Sequence, residues 1–241
     1  MSKHHSLEFE LIITCVNPQK SIAEIIEINT IDWDFLLQRL IELRIAQLFY
    51  NQINTENIKN KIPQEFYLAI QNIYFKTLQK NTVLYHTFSQ FVSEFENQKI
   101  QVIALKGIYL AETLYKDIAL RQLSDIDILL HENDIEACIR IVESHGFVKE
   151  KSGKSEFITQ HRDTKHLPMY SKQGIGVELH IKLLHDNPEF YIPISEFWNN
   201  SKLNMRSTSI LEFTPEILLL HILLHIDGHV VSGKIHFIGY I

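Results

Sequence analysis

Apolar positions recur with a helical period through the first part of the chain and with a strand period later. "DWDFLLQRLIELRIAQLFYNQI" sets Trp33, Leu36, Leu37, Leu40, Leu43 and Gln47 near a 3.6-residue repeat with a polar opposite face. The pattern predicts one helix across residues 32–53, capped by Thr30 or Asp32. Pro63 opens a stretch to Asn97 that holds no Gly and no further Pro. Phe66, Ile70, Ile73, Leu78, Leu84, Phe88, Phe91 and Phe95 recur there at helical spacing. Pro suits the first helical position, whose N–H has no intrahelical partner. An apolar and aromatic stripe of this kind is read as helix packing.

The pattern changes at Lys99. "KIQVIAL" is a short apolar run, "IYLAETLYKD" is helix-like, and "SDIDILLH" alternates as a strand does. "NDIEACIRIVESHG" carries an Asn or Asp cap, an apolar stripe of Ile135, Cys138, Ile141 and Val142, and a closing Gly146. "FVKE" resumes a strand. "HLPMYSKQGIGVELHIKLL" reads as two strands joined by a tight turn around Lys172–Gly176. From Pro215 the pattern is helical again. The order predicts a helical region over 1–98, a mixed sheet with helices over 99–200, and a helical region over 201–241.

Within "SDIDILLH", period two puts Asp125 and Asp127 on one face and Ile126 and Ile128 on the other. "VELHI" repeats the arrangement, with Glu178 and His180 opposite Val177, Leu179 and Ile181. If the two strands are neighbours, Asp125, Asp127 and Glu178 converge. Three adjacent carboxylates cannot all stay ionised without a cation, so at least one should have a raised pKa in the metal-free protein. Mg²⁺ or Mn²⁺ would relieve the repulsion with oxygen ligands. Carboxylates bridging two such ions support in-line phosphoryl or nucleotidyl transfer. An Asp-x-Asp pair alone is weak, because most such pairs are simply solvated.

Charge and composition narrow the classes. The chain has 241 residues, 45% hydrophobic and 22% charged, with net charge −6. Neither half is basic, which argues against a long nucleic-acid substrate. Two cysteines, Cys15 and Cys138, make no disulfide framework, and a reducing cytoplasm fits. "MSKHHSLEFE" has no apolar signal core, and no uncharged run has membrane-spanning length.

Taken together, "ALKGIYLAETLYKDIALRQLSDIDILLHENDIEACIRIVESHGF" and "GVELHIKLL" resemble the polymerase-beta-type nucleotidyltransferase superfamily. More narrowly they resemble a poorly characterised bacterial nucleotidyltransferase family with the pattern LKG…Y…R…DIDLLV…A…L…GY…(D/E)LHW. The likeness covers about residues 30–240, and its specific part is 103–182. It implies an α+β fold: a polymerase-beta-like core of mixed sheet and helices, with helical regions before and after it. It also implies that the C-terminal helical region continues past residue 241.

The resemblance further implies that Asp125 and Asp127 are paired metal ligands and Glu178 the third carboxylate. Lys106 and Gly107 stand where the superfamily has Gly-Ser or Gly-Gly, between a strand and a helix whose N–H groups can cradle a triphosphate. The usual Ser hydroxyl is absent, and the interval from Gly107 to Asp125 is longer than in most of the superfamily. Lys106 is then a phosphate ligand or a lysine at a strand end. Arg121 either reaches phosphate or pins a carboxylate. His180 orients a carboxylate, touches substrate, or is an ordinary hydrogen-bonded histidine. His166 faces the same choice. His221, His225 and His229 line one helix face, for which packing is the commoner explanation than a metal. Tyr115 reads as a packing residue.

The implied activity is metal-dependent transfer of an NMP from an NTP, such as ATP, to a hydroxyl acceptor with release of pyrophosphate. The acceptor could be a small molecule, a protein or a small RNA. Mg²⁺ or Mn²⁺ is the cofactor and the NTP the co-substrate; oligomeric state stays open. The alternative is a catalytically degenerate protein that binds nucleotide or a partner without turnover.

Overall fold

The computed structural model describes residues 6–17, 19–28, 30–150, 167–183, 192–205 and 207–231. They form nine α-helices and seven strands in two compact units. One unit comprises the described residues up to Thr82 together with Leu114–Gln122; the other comprises Val83–Thr113 and the described residues from Leu123 on.

The first unit is helical: α1 (Ser6–Cys15), α2 (Ala23–Ile28), α3 (Trp33–Glu42), α4 (Ala46–Thr55) and the first half of α5 (Gln64–Gln98). Asp32 caps α3 as expected, its carboxylate accepting from the Phe35 N–H at 3.0 Å. The single helix expected across 32–53 is two helices. Leu40 and Ile41 carbonyls accept from the Ile45 and Arg44 N–H groups, and Arg44 sits at φ 59. That is a Schellman closure, normally built on Gly. Pro63 precedes the first helical residue of α5, and its carbonyl accepts the first helical bond, from Tyr67. The apolar faces close on Leu11, Ile22, Leu36, Leu40, Phe49, Ile53 and Ile70, all fully buried.

Residues 114–122 lie in this same unit, held by side chains of α5. Tyr74 donates to Asp117 at 2.8 Å, and Asn81 donates to the Arg121 carbonyl at 2.7 Å and to that of Ile118.

The second unit is built on one mixed sheet, ordered β3-β4-β5-β2-β1-β7-β6. Its strands are β1 (Val102–Ala104), β2 (Asp125–Leu130), β3 (Val148–Lys149), β4 (Tyr170–Lys172), β5 (Ile175–His180), β6 (Ser201–Leu203) and β7 (Ile210–Phe213). β2 runs parallel to β5 and antiparallel to β1, and β1 runs parallel to β7. The expected β4–β5 hairpin turns at Gln173–Gly174, both with positive φ. Residues 201–213, assigned to a helical region from the sequence, instead supply β6 and β7. Ile210, Leu211 and Phe213 are buried there, too short a run to show a period. Helix resumes with α9 (Pro215–Val231), and α8 (Ile194–Asn199) precedes β6.

Each sheet face has its own core. On one face Ile126, Ile128, Val177 and Leu179 pack with Phe91 and Phe95 of α5, with α6 (Lys106–Thr113) and with α7 (Ile135–Ser144). On the other, Ile103, Leu129 and Leu211 pack with Phe197 of α8 and with Ile217 and Leu218 of α9. Both cysteines are free. Burial pushes each thiol up to about 12, so neither offers a thiolate near neutral pH.

Candidate active site

The alternation in β2 and β5 decides what meets what. In the parallel register Asp127 lies opposite Glu178, Asp125 opposite Gly176, and Leu129 opposite His180. Asp125, Asp127, Glu178 and His180 therefore share a face, next to the Ile103–Leu129 core. The apolar residues between them supply the opposite core. The two strands that the sequence left as possible neighbours are hydrogen-bonded partners.

β1 delivers the cation. The Leu105 N–H donates to the Asp127 carbonyl at 3.0 Å, after which the chain turns abruptly into α6. Lys106 makes that turn at φ 39, in the left-handed region that favours glycine. Its Nζ lies 3.8 Å from Oδ2 of Asp127. A Cβ at the neighbouring Gly107 would stand 3.0 Å from Cδ2 of Leu123, so the leucine would have to give way by a few tenths of an ångström. On β5, a Cβ at Gly176 would stand 3.4 Å from both the Asp125 Cβ and the Met169 Sδ. The sequence places Gly176 at the end of the turn; it lies instead within β5, opposite Asp125.

His180 is 2% exposed. Its Nε2 lies 2.8 Å from Oδ1 of Asp127 and 3.5 Å from Oε2 of Glu178. Burial alone would lower its pKa, but the two carboxylates outweigh burial and raise it. For Asp127 burial acts upward, yet the Lys106 ammonium and the His180 hydrogen bond hold the carboxyl well below its usual range. Asp125 goes the other way. Burial and the Asp127 charge push it up to about 6, against a hydrogen bond from Ser124 and the pull of Lys106. The raised carboxyl expected from the sequence is thus Asp125.

His225 of α9 also lowers the Asp127 pKa through its charge. Sequence reasoning saw His225 only as one of a helical row. The i, i+4 spacing put it on the face of His221, and His221 is buried edge-on to Phe213 at 5.7 Å. His221 thus packs on the Phe213 ring. The side chain of His229 and the whole of His166 lie outside the described residues.

Arg121 belongs to the helical unit. Its guanidinium lies over the Tyr115 ring, 5.7 Å from the centroid, with Nη1 3.4 Å from the Tyr115 hydroxyl. Tyr115 packs, as expected.

One ligand atom from each of Asp127, Glu178 and His180 lies within 4.8 Å of the others. Two carboxylates and an imidazole so close form a donor set that fits a divalent cation. No helix among the described residues is long and apolar enough to cross a membrane.

The mixed seven-stranded sheet with its helices is an α+β fold that fits a nucleotidyltransferase domain. The chain belongs to a family described as uncharacterised nucleotidyltransferase, whose model matches residues 29–238. No curated protein and no solved structure matches it.

Proposed function

We propose that the protein transfers a nucleoside monophosphate from an NTP to a hydroxyl acceptor. The acceptor oxygen bonds to the α-phosphorus, the bond from that phosphorus to the β-bridging oxygen breaks, and pyrophosphate leaves. The hydroxyl proton is released. The observation that carries this reading is Asp127 facing Glu178 across β2 and β5, with Asp125 on the same face. Family membership supports nucleotidyl transfer as the general activity.

Asp125, Asp127 and Glu178 would hold Mg²⁺ or Mn²⁺, which when bound neutralises the triphosphate and activates the acceptor hydroxyl. Lys106 and the start of α6 would bind triphosphate oxygens, with Gly107 letting that turn pack on Leu123. In the metal-free protein Nε2 of His180 contacts one Asp127 oxygen at 2.8 Å. Acceptor oxygens could belong to a small molecule, a protein or a small RNA.

The second reading, nucleotide binding without turnover, is favoured by Lys106–Gly107 standing in place of Gly-Ser. One experiment separates the two. The protein is incubated with each α-labelled NTP, Mg²⁺ or Mn²⁺ and a cell extract, and labelled acceptor and pyrophosphate are measured. Label transfer that Asp125→Asn abolishes supports the enzyme. Nucleotide retained without pyrophosphate release supports the binding protein.

A further inference from the structure

We propose that Asp127, Glu178 and His180 form a three-donor cation site that binds Mn²⁺ in preference to Mg²⁺, without nucleotide, with His180 Nε2 as a direct ligand. This names the cation of the site described above and rests on that reading for the site's metal role.

Three observations carry it. First, Nε2 does not face one oxygen only. It lies 2.8 Å from Asp127 Oδ1 and 3.5 Å from Glu178 Oε2. Two donors bound at right angles, each about 2.1 Å from one ion, stand about 3 Å apart. A histidine serving solely to orient Asp127 has no need of the second carboxylate. Second, the donor types are mixed. Mg²⁺ favours oxygen ligands and keeps several waters, whereas imidazole suits transition ions. His180, at 2% exposure, is a buried nitrogen donor on this face. Third, charge balances: the two carboxylates match a divalent cation, and a neutral imidazole adds a ligand without adding charge. Asp125 lies outside this set, opposite Gly176, and remains available to an ion carried in by the nucleotide.

The test uses the full chain stripped of metal and given Mn²⁺ alone, so failure of nucleotidyl transfer leaves it intact. Electron spin-echo spectroscopy of bound Mn²⁺ should show nitrogen modulation from a directly coordinated imidazole. Calorimetry should show Mn²⁺ bound more tightly than Mg²⁺. His180→Asn keeps a donor toward Asp127, so a purely orienting role would leave the Mn²⁺ preference intact. As the loss of a direct nitrogen ligand it should remove the nitrogen modulation and erase the Mn²⁺-over-Mg²⁺ preference, whereas loss of an orienting partner would weaken both ions alike, by about 10- to 100-fold. Bound Mn²⁺ without nitrogen modulation, Mg²⁺ bound equally well or better, or no ion bound without nucleotide would each overturn the proposal. The spectroscopic arm needs only the wild-type chain.

Discussion

The ammonium of Lys106 stands 3.8 Å from one oxygen of Asp127 while the imidazole of His180 stands 2.8 Å from the other. Asp127 is thus held from both sides, with the Lys106 ammonium foremost among the charges that hold its carboxyl low. On the proposed reading a metal entering beside Asp127 would repel Lys106 and free its ammonium for an incoming anion. Lys106→Ala should therefore weaken NTP binding by ~1.5–3 kcal/mol, the range for charge-assisted phosphate contacts. Calorimetry with Mn²⁺ and each NTP measures it. Unchanged affinity would remove Lys106 from the nucleotide site.

Asp125 and Asp127 should respond to pH in opposite senses. The Asp125 carboxyl is raised to about 6, first by burial and then by Asp127. A raised folded-state pKa means the folded protein binds the extra proton, so this group's contribution falls as pH rises from about 4 to about 6 and stays lost above that. Asp125→Asn should raise the melting temperature of the metal-free protein at pH 7 and leave it little changed at pH 4. Asp127 is lowered, so its contribution is present above about pH 4 and fades as pH falls below it. Asp127→Asn should lower the melting temperature at pH 7. Parallel behaviour of the two variants would contradict the assigned environments.

Gly107 is placed by packing against Leu123. An added methyl 3.0 Å from a buried leucine terminus overpacks the junction of α6 and β2, a change that typically costs ~1–3 kcal/mol. Gly107→Ala should lose about that much stability, read from denaturant unfolding. Leu123→Ala removes the obstructing carbon, so the double variant should be more stable than the sum of the two losses predicts. Strict additivity would mean the close approach is relieved in some other way.

The β2 and β5 elements were legible because alternation is their only constraint. Burying Ile126, Ile128, Val177 and Leu179 forces Asp125, Asp127, Glu178 and His180 to the other face, whatever the rest of the chain does. Their pairing was not legible, because register between distant strands leaves no local mark. Helix ends were legible only where they used the expected residue. Gly146, φ 82, closes α7, and sequence alone shows it. Arg44, Asn57 and Lys99 close α3, α4 and α5 in the same left-handed conformation, and the arginine and lysine give no such signal. β6 and β7 are three and four residues long, shorter than any periodicity can register. His225 acts on Asp127 through space from α9, a relation that no spacing within one helix encodes.

The Arg44 closure can be tested directly. A non-glycine residue in the left-handed region carries ~1–2 kcal/mol of steric cost, part of which glycine offsets by losing more backbone entropy on folding. Arg44→Gly should be neutral to stabilising by up to about 1 kcal/mol, and Arg44→Val destabilising because a β-branched residue fits that conformation worst. Thermal unfolding of both variants decides it. A stabilising valine would show that α3 and α4 close differently.

The broadest test is a melting series with and without Mn²⁺, Mg²⁺ and each NTP. Ligand that binds only the folded chain stabilises it by mass action, about 2.7 kcal/mol at a hundredfold excess over its dissociation constant. Wild type should gain stability with a divalent cation, because Asp125, Asp127 and Glu178 repel one another without it. NTP should add to the gain, since triphosphate oxygens complete the coordination sphere. Asp127→Asn loses the carboxylate that faces both Glu178 and Lys106, so it should show neither gain, even at a pH where it remains folded. Asp125→Asn starts from a more stable metal-free protein and should lose chiefly the NTP increment, because Asp125 lies outside the Asp127–Glu178–His180 set. A wild type that shifts with no metal–nucleotide pair would remove the physical basis for nucleotidyl transfer. A shift with no accompanying pyrophosphate would identify a protein that binds nucleotide without using it.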